Sequence, residues 1–186
     1  MATTPVFKMV PPWVPELLPS VQAEIETFLA SRGLPFVLEV GSGWSTVWFA
    51  QRAGLVHSLE DDQDWYGEVL RALDDNYDGT NAWRVEHVKN PKDMPKEVAR
   101  MECEYDLVLI DGGPDDTRLA SLFASLTKVV DGGWIVLDDA HWSQFKYVPN
   151  VMEEMGYKCK RLQGQHTRKT GEVCFHCTDI YCKEFR

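Results

Sequence analysis

The sequence predicts an α/β protein with a doubly wound, mostly parallel seven-stranded sheet that ends in a C-terminal antiparallel hairpin. Strand-like and helix-like segments alternate along most of the chain, as they do when helical crossovers join parallel strands. A glycine turn, Gly41-Ser42-Gly43, directly follows the first strand-like segment. Two final extended segments, Tyr157–His166 and Glu172–Lys183, flank a short polar turn, which is a hairpin pattern.

The chain begins with a proline-rich stretch. Residues 1–19 hold five prolines and are predicted to form an extended N-terminal arm. Residues 20–186 are predicted to form a single domain. Ser20 is a candidate N-cap for a helix over Val21–Ser31, and Gly33 is positioned to end that helix.

The next elements surround the glycine turn. Their strand segments are short apolar or β-branched runs, and their helix segments repeat apolar residues every three or four positions. Asp61 or Asp62 stands near the start of the third helix, where a carboxylate stabilises free backbone N–H groups. In order, the segments are strand Phe36–Val40, helix Thr46–Arg52, strand Val56–Glu60, helix Asp64–Leu73, strand Trp83–Val88 and helix Pro95–Met101.

The second half continues the alternation. Its first strand is almost uninterruptedly apolar, as expected of a strand buried on both faces. Gly132 and Gly133 are predicted to separate a helix from the following strand, and Pro149 is a point where the last helix breaks. The segments are strand Tyr105–Asp111, helix Thr117–Val130, strand Trp134–Asp138 and helix Ser143–Met155.

Composition excludes several classes of protein. The formal net charge is −10, which argues against nucleic acid as the main partner because phosphates require clustered Lys and Arg. No apolar run approaches the roughly 20 residues of a membrane span. The first dozen residues carry Lys8 as their single positive side chain and no long apolar segment, so no export signal is predicted. The five cysteines are accordingly expected to be reduced, in a cytoplasmic protein.

Acidic side chains end several of the predicted strands. Ligands of an open parallel sheet bind beyond the carboxyl ends of its strands, so these side chains are expected to face one crevice. Carboxylates gathered at one rim repel each other unless a cation or a hydroxyl-rich ligand uses them. Thr46 stands where a dinucleotide fingerprint requires its third glycine. The rim residues are Glu39, Glu60, Asp111, Asp138, Asp139 and His141.

Four segments in order resemble one known family, the class I S-adenosylmethionine-dependent methyltransferases with a Rossmann-like fold. Glu39–Gly43 resembles the first motif of that family, and Glu60 stands where the family places an acid for the ribose hydroxyls. Asp106–Asp111 resembles the fourth-strand motif, and Gly132–Asp139 the fifth-strand segment. The resemblance covers residues 20–183 and includes the terminal hairpin.

This resemblance implies S-adenosylmethionine as the cofactor. Gly41 and Gly43 would allow close approach of the backbone to it, and Glu60 would accept both ribose hydroxyls. Ser45 occupies the family's usual third small position, which is a departure from the pattern. The implied cofactor-binding residues are Glu39, Gly41, Ser42, Gly43, Ser45, Glu60 and Asp111.

The resemblance extends to a branch that contains catechol O-methyltransferase. That branch binds Mg²⁺ through acids that follow the fourth and fifth strands, which here implies Asp111, Asp138 and Asp139 as ligands. The chain departs from the branch at Asp139, where an asparagine is usual. The alternative is metal-free catalysis with Asp139 or His141 as general base, and the catalytic candidates are Asp111, Asp139 and His141.

Two further features receive structural interpretations. Cys174 and Cys177 have zinc-ligand spacing, but two residues three apart in a strand point to opposite faces, so buried structural cysteines are favoured over a zinc site. Arg118 would meet an acidic substrate if it faced the crevice. A solvated helix position is favoured for it.

The leading hypothesis is methyl transfer to an oxygen or nitrogen of a small-molecule acceptor. The short loops after the fourth and fifth strands, 112–117 and 139–146, suit a small acceptor or an open site that a partner subunit covers in a homodimer. Two alternatives remain, a nicotinamide-dependent oxidoreductase and a non-catalytic cofactor-binding protein. Neither a nucleic acid nor a membrane is a predicted partner.

Overall fold

A computed structural model describes residues 15–76, 81–167 and 171–184. Most of the predicted N-terminal arm lies outside these residues. The strands are β1 Phe36–Val40, β2 Leu55–Glu60, β3 Ala82–His87, β4 Tyr105–Ile110, β5 Val129–Leu137, β6 Tyr157–Thr167 and β7 Val173–Lys183. The helices are α1 Pro19–Ser31, α2 Trp44–Ala50, α3 Gln63–Asn76, α4 Met94–Arg100, α5 Asp115–Ser125 and α6 Val148–Glu154.

The strands form one seven-stranded sheet in the order β3-β2-β1-β4-β5-β7-β6. β1 to β5 pair in parallel, whereas β7 runs antiparallel to both β5 and β6. The predicted fold class is therefore confirmed. Chain order reverses between β1 and β4, and such a switch point opens a crevice beyond the carboxyl ends of the two strands.

Two apolar layers cover the sheet. One face packs α1 and α2 against alternate residues of the central strands, including Val37 and Leu109; α3 packs beside α2 against Val85 of β3. The opposite face packs α4, α5 and α6 against the intervening residues, including Leu38 and Val108. The central strands are thus buried on both sides, as their nearly continuous apolar sequences predict.

The first helix begins earlier than predicted. Pro19 is its first residue, and Leu18 occupies the N-cap position without a side-chain hydrogen bond. Ser20 therefore lies inside the first turn and is not the cap. Proline suits this place because its missing N–H would have no partner in the first turn of a helix. Leu17 and Leu18 are buried in the core, so the end of the predicted arm packs with the domain.

The prediction of a helix over Thr117–Val130 is wrong at the C-terminal end of the helix. α5 stops at Ser125, and Val129 already pairs with Tyr105 in the sheet. Gly132 and Gly133 lie within β5, at a shift in the β4–β5 register. A Cβ atom on Gly133 would lie 2.7 Å from the Val129 side chain and 2.8 Å from the Val130 carbonyl oxygen, so the two glycines allow an irregular strand rather than separating two elements.

The helix predicted over Ser143–Met155 is divided. Residues Ser143–Phe145 form a single 3-10 turn, and α6 starts anew at Val148 with Pro149 in its first turn. Proline supports a helix start and disrupts a helix interior, which explains the position of the break.

The terminal hairpin extends past the carboxyl end of β5, the strand with which it pairs. β7 pairs with β5 through Asp179–Cys182, and the last β5 partner, Leu137, lies opposite Asp179. Because β7 is antiparallel to β5, its residues 173–178 lie beyond the carboxyl end of β5. The hairpin therefore adds side chains from β7 to the crevice. No helix in the described ranges is long and apolar enough to cross a membrane.

Candidate active site

The loops that follow β1 and β4 touch through their backbones at the switch point. Gly41 has a φ of +91°, and a Cβ atom on it would lie 2.3 Å from the Cα atom of Gly112. A Cβ atom on Gly112 would lie 2.2 Å from the Cα atom of Gly41. Sequence reasoning selected Gly41 but missed Gly112, although a glycine pair directly after a buried strand was the available signal.

Gly43 has a different position. Its φ of 175° is ordinary extended backbone, and a Cβ atom there would make ordinary van der Waals contact with Trp65 at 3.7 Å. Its N–H donates to the hydroxyl of Thr46 at 2.8 Å. Packing within the chain thus does not require glycine here, and a role in close approach to the cofactor stays a prediction.

Glu39 is a fully buried carboxyl group at the end of β1. Its Oε2 atom accepts hydrogen bonds from the hydroxyls of Thr46 at 2.5 Å and Ser58 at 2.6 Å. Its Oε1 atom has no hydrogen-bond partner among the described residues. Burial raises the pKa of Glu39 to about 7, although the hydroxyls of Ser45, Ser58 and Thr46 act in the opposite direction.

Glu60 ties the glycine turn to the end of β2. Its Oε2 atom accepts from the backbone N–H and the hydroxyl of Ser42 at 2.8 and 2.9 Å. Its Oε1 atom accepts from the N–H groups of Asp61 and Asp62 at 3.0 and 2.9 Å. Burial raises its pKa, and these hydrogen bonds oppose that shift. A ribose would therefore share this carboxylate with protein donors.

Two tryptophans lie beside the glycine turn, Trp44 at the start of α2 and Trp65 in α3. The indole N–H of Trp65 donates to the carbonyl oxygen of Ser42 at 2.6 Å, and the Trp65 and Trp44 rings meet edge to face at 5.0 Å. The side chain of Asp62, one of the two predicted acids, caps α3 by accepting from the N–H groups of Asp64 and Trp65. Sequence reasoning missed Trp65 because an aromatic residue in a helix gives no indication of its partner.

Arg118 lies at the centre of the acidic rim. Its Nη2 atom donates to the carbonyl oxygen of Asp111 at 2.6 Å, and its Nη1 atom lies 3.5 Å from Oδ2 of Asp139. Its guanidinium stacks 4.7 Å from the ring centre of Trp142. The residue is only 8% exposed, so the interpretation as a solvated helix residue is wrong. Asp111 and Asp139 balance its charge.

The carboxyl group of Asp111 shares the crevice with other acids. Burial raises its pKa well above the ordinary value, and the negative charge of Asp138 raises it further. The Arg118 guanidinium, 3.7 Å from Oδ1 of Asp111, opposes the shift. Asp111 is therefore protonated more readily than an exposed aspartate.

We expect Arg118→Met to destabilise the protein by about 3 kcal/mol at pH 8, because it leaves the partly buried carboxylates of Asp111 and Asp139 without their buried cation. The loss should shrink at lower pH, because the pKa of Asp111 is raised and this carboxyl group takes up a proton there. Urea denaturation at pH 8 and at lower pH measures it. Arg100→Met, at an exposed ion pair of α4, should change stability by less than about 1 kcal/mol. Equal effects of the two variants would contradict the role of Arg118 in balancing the charges of Asp111 and Asp139.

β7 adds a histidine to the rim. The Nε2 atom of His176 lies 2.8 Å from Oδ1 of Asp138, which also accepts from the Thr178 hydroxyl at 2.6 Å. Sequence reasoning considered His176 only beside the cysteines, because its proximity to Asp138 depends on the register of the hairpin. The predicted base His141 is exposed, and its ring centre lies 6.4 Å from that of His176.

The predicted magnesium ligands are not grouped as the resemblance implies. In the described part of the chain, the donors that lie within 4.8 Å of one another belong to Asp138, Asp139 and His176, not to Asp111. The Arg118 cation lies beside Asp111 and Asp139. Imidazole is also an unusual ligand for Mg²⁺. The geometry therefore gives the set Asp111, Asp138 and Asp139 no support as a magnesium site.

The cysteines of β7 show no metal-binding arrangement. Cys174 and Cys177 lie within one regular strand, where Cys177 is buried and Cys174 half-buried. Across residues 15–76, 81–167 and 171–184, no group of three metal-binding side chains includes a cysteine. Burial of Cys177 agrees with its interpretation as a structural residue, whereas Cys174 is only half-buried.

The strand order, the glycine turn at the switch point and the buried acids beside it are the arrangement expected of a class I S-adenosylmethionine-dependent methyltransferase. The chain belongs to the methyltransferase-domain family, since the model of that family matches residues 38–140, which is more than half of its length. The family favours the methyltransferase hypothesis over the nicotinamide-dependent oxidoreductase. No curated protein matches the chain.

The proteins with similar solved structures are methyltransferases for different acceptor atoms. A precorrin-6y C5,15-methyltransferase from Geobacter metallireducens has 16% identity and a TM-score of 0.69, over 89% of this chain and 88% of that chain. An O-methyltransferase from Bacillus cereus in complex with SAH has 15% identity and a TM-score of 0.67, over 90% and 82%. The N-methyltransferase NodS from Bradyrhizobium japonicum has 13% identity and a TM-score of 0.57, over 90% and 98%. These likenesses show the fold and leave the acceptor atom open.

Proposed function

We propose that this protein transfers the methyl group of S-adenosylmethionine to an oxygen or nitrogen atom of a small molecule. Methyl transfer to oxygen or nitrogen is supported by a group of side chains at the rim that can accept a proton. They are Asp111, Asp138, Asp139 and His176. A hydroxyl or ammonium acceptor loses a proton when it is methylated, and a nearby carboxylate or imidazole takes that proton up.

The cofactor would occupy the crevice between the β1 and β4 loops. Glu39 offers a buried oxygen without a hydrogen-bond partner in the described residues, which suits the ammonium group of the methionine moiety. Glu60 would bind the ribose hydroxyls. The Ser42 hydroxyl would then have to give up its place, because it already donates a hydrogen bond to Glu60. The hydroxyl of Ser45 acts on Glu39, and Asp111 would face the amino end of the cofactor or the acceptor, so the cofactor residues predicted from the sequence would line one crevice.

A small acceptor fits the charges and loops of the rim. The loops after β4 and β5 are short, and the acids there would repel a nucleic acid backbone. Alignment of donor and acceptor for in-line displacement would supply most of the rate enhancement. Asp139, whose φ is +54°, and the exposed His141 are candidate bases. A homodimer and a cytoplasmic location stay predictions.

Calorimetry with S-adenosylhomocysteine tests the proposal. We expect wild type to bind it and Glu60→Gln to bind about 10-fold more weakly, because the amide cannot provide charge-assisted hydrogen bonds to both ribose hydroxyls. Glu153→Gln alters an exposed carboxylate of α6 and should leave the affinity unchanged. Absence of binding by wild type would overturn the proposal. Binding without S-adenosylhomocysteine production from S-adenosylmethionine, across phenols, alcohols and amines, would favour the non-catalytic alternative.

A further inference from the structure

Three large apolar side chains lie exposed along one side of α6. Tyr147 at its N-cap is 64% exposed, Val151 is 36% exposed and Met155 at its C-cap is 43% exposed. They stand four residues apart and therefore form one stripe along the helix. Val148 and Met152 face the core instead. Exposed apolar side chains are common singly, whereas a contiguous group of them marks an interaction surface.

A cavity opens at the C-terminal end of this stripe. Its volume is about 550 Å³, which exceeds the size of one aromatic side chain. The stripe thus has a projecting aromatic side chain at one end and a concave surface at the other. The cavity lining includes Leu126, Asp131, Met155, Gly156, Tyr157 and Glu184.

The projection and the cavity lie equally far from the middle of the stripe. Tyr147 and Met155 are each four residues from Val151, which is about 6 Å along the helix axis. A second copy of α6 that runs antiparallel about a two-fold axis at Val151 therefore places its Tyr147 at Met155, at the mouth of the cavity. Such a contact uses the same surface on both copies and closes as a dimer. Tyrosine and methionine are enriched in protein interfaces, and thioethers pack well against aromatic rings.

The charges beside the stripe suit the same antiparallel contact. Lys146 precedes the helix, with its ammonium group 4.6 Å from the ring centre of Tyr147, and Glu154 is the last helical residue. Antiparallel pairing about Val151 places each Lys146 within about one helical turn of Glu154 of the partner subunit. Parallel pairing would instead place like charges opposite each other, which is unfavourable.

We propose that α6 forms the interface of a symmetric homodimer, in which Tyr147 of each copy enters the cavity beside Met155 of the other. A second copy of this chain is the occupant because the shapes and the charges that complement each other belong to the two ends of one helix. This inference does not rest on the proposed function. The loop 139–146 leads directly into α6, so the dimer contact also holds the end of the loop that carries Asp139.

Sedimentation velocity of the full-length chain measures the association. We expect wild type to dimerise with a dissociation constant of about 10 μM, as for a small interface. Tyr147→Ala should weaken the dimer at least about 10-fold, because it removes the aromatic side chain that fills the cavity. Leu34→Ala is the matched control, because Leu34 is an exposed apolar residue outside α6, and it should leave the dissociation constant unchanged.

A charge exchange separates the proposed contact from any loss of folding. Lys146 and Glu154 are both exposed, so neither Lys146→Glu nor Glu154→Lys should disturb the fold. Each single variant should weaken the dimer about 5-fold at low salt, because it brings like charges together in two symmetric pairs. The double variant restores opposite charges and should return to within about 2-fold of wild type.

Three results would overturn the proposal. They are a wild type that stays monomeric at about 100 μM, an unchanged dimer in Tyr147→Ala, and a double variant as weak as the more affected single variant. A monomeric wild type would leave the stripe to residues 1–14 of the same chain or to another protein. Hydroxyl-radical footprinting of Tyr147 in that monomer separates these two cases, because the side chain is protected only in the first.

Discussion

Gly41→Ala is expected to destabilise the protein by about 2 to 5 kcal/mol and to weaken S-adenosylhomocysteine binding at least about 10-fold. The new Cβ atom would lie 2.3 Å from the Cα atom of Gly112, and the φ of +91° is unfavourable for alanine. Neither backbone can yield easily, because the N–H groups of Asp111 and Gly112 both donate to the Val40 carbonyl oxygen, at 2.9 and 2.7 Å. The β1 and β4 loops would have to separate at the place where we propose that the cofactor binds.

A glycine in α3 supplies the control for this substitution. Gly67 lies in the helix interior, and a Cβ atom there would meet nothing within 4 Å. Gly67→Ala should therefore stabilise the protein by roughly 0.5 to 1 kcal/mol and leave binding unchanged. Chemical denaturation and calorimetry measure both quantities. Wild-type stability in Gly41→Ala would show that the β1–β4 loop contact is looser than the structure indicates.

Glu39→Gln should change the pH dependence of stability, because the pKa of the carboxyl group that it replaces is raised by burial. The pKa of Glu39 is raised from 4.5 to about 7 in the folded protein, so the folded state binds this proton more tightly than the unfolded state. The carboxyl group therefore lowers stability as the pH rises from 4.5 to about 7, by about 3 kcal/mol in total. Glutamine cannot ionise, and this loss should be absent from the variant.

Urea denaturation from pH 5 to pH 8 measures the difference between wild type and Glu39→Gln, in which contributions from other groups cancel. A difference that is independent of pH would contradict the raised pKa. Binding gives a second readout, because the ammonium group of the cofactor, in its proposed position beside Glu39, would favour the ionised form of that carboxyl group. At pH 6, wild type should release about one proton on binding S-adenosylhomocysteine. Glu39→Gln should release less and bind at least about 10-fold more weakly.

Local patterns predicted the parts of the site that follow strands of the parallel sheet. Glu39, Glu60 and Asp111 each stand at or directly after the end of a short apolar run, and the carboxyl ends of parallel strands meet along one edge of a sheet. The predicted boundaries of helices and strands were less accurate where one segment is compatible with both a helix and a strand. The residues around Gly132 and Gly133 satisfy both a helix end and an irregular strand, and pairing of Val129 with Tyr105 selects the strand.

Sequence reasoning failed for residues whose role depends on distant partners. Arg118 has the spacing of an ordinary helix residue, and only the loops after β4 and β5 bury it between Asp111 and Asp139. The zinc-like spacing of Cys174 and Cys177 drew attention to the hairpin, but the relevant side chain between them is His176. Its contact with Asp138 depends on how far β7 extends past β5.

The sequence by itself determined the fold class, the order of the elements and the glycine turn with its neighbouring acids, because periodicity, strand-end acids and glycine spacing are local properties. The tertiary structure decided which groups share the crevice. Contact of Gly41 with Gly112, burial of Arg118 and orientation of His176 by Asp138 each join residues far apart in the chain. Such contacts are set by strand register and by burial, which bring charges and backbones together in ways that no local pattern records.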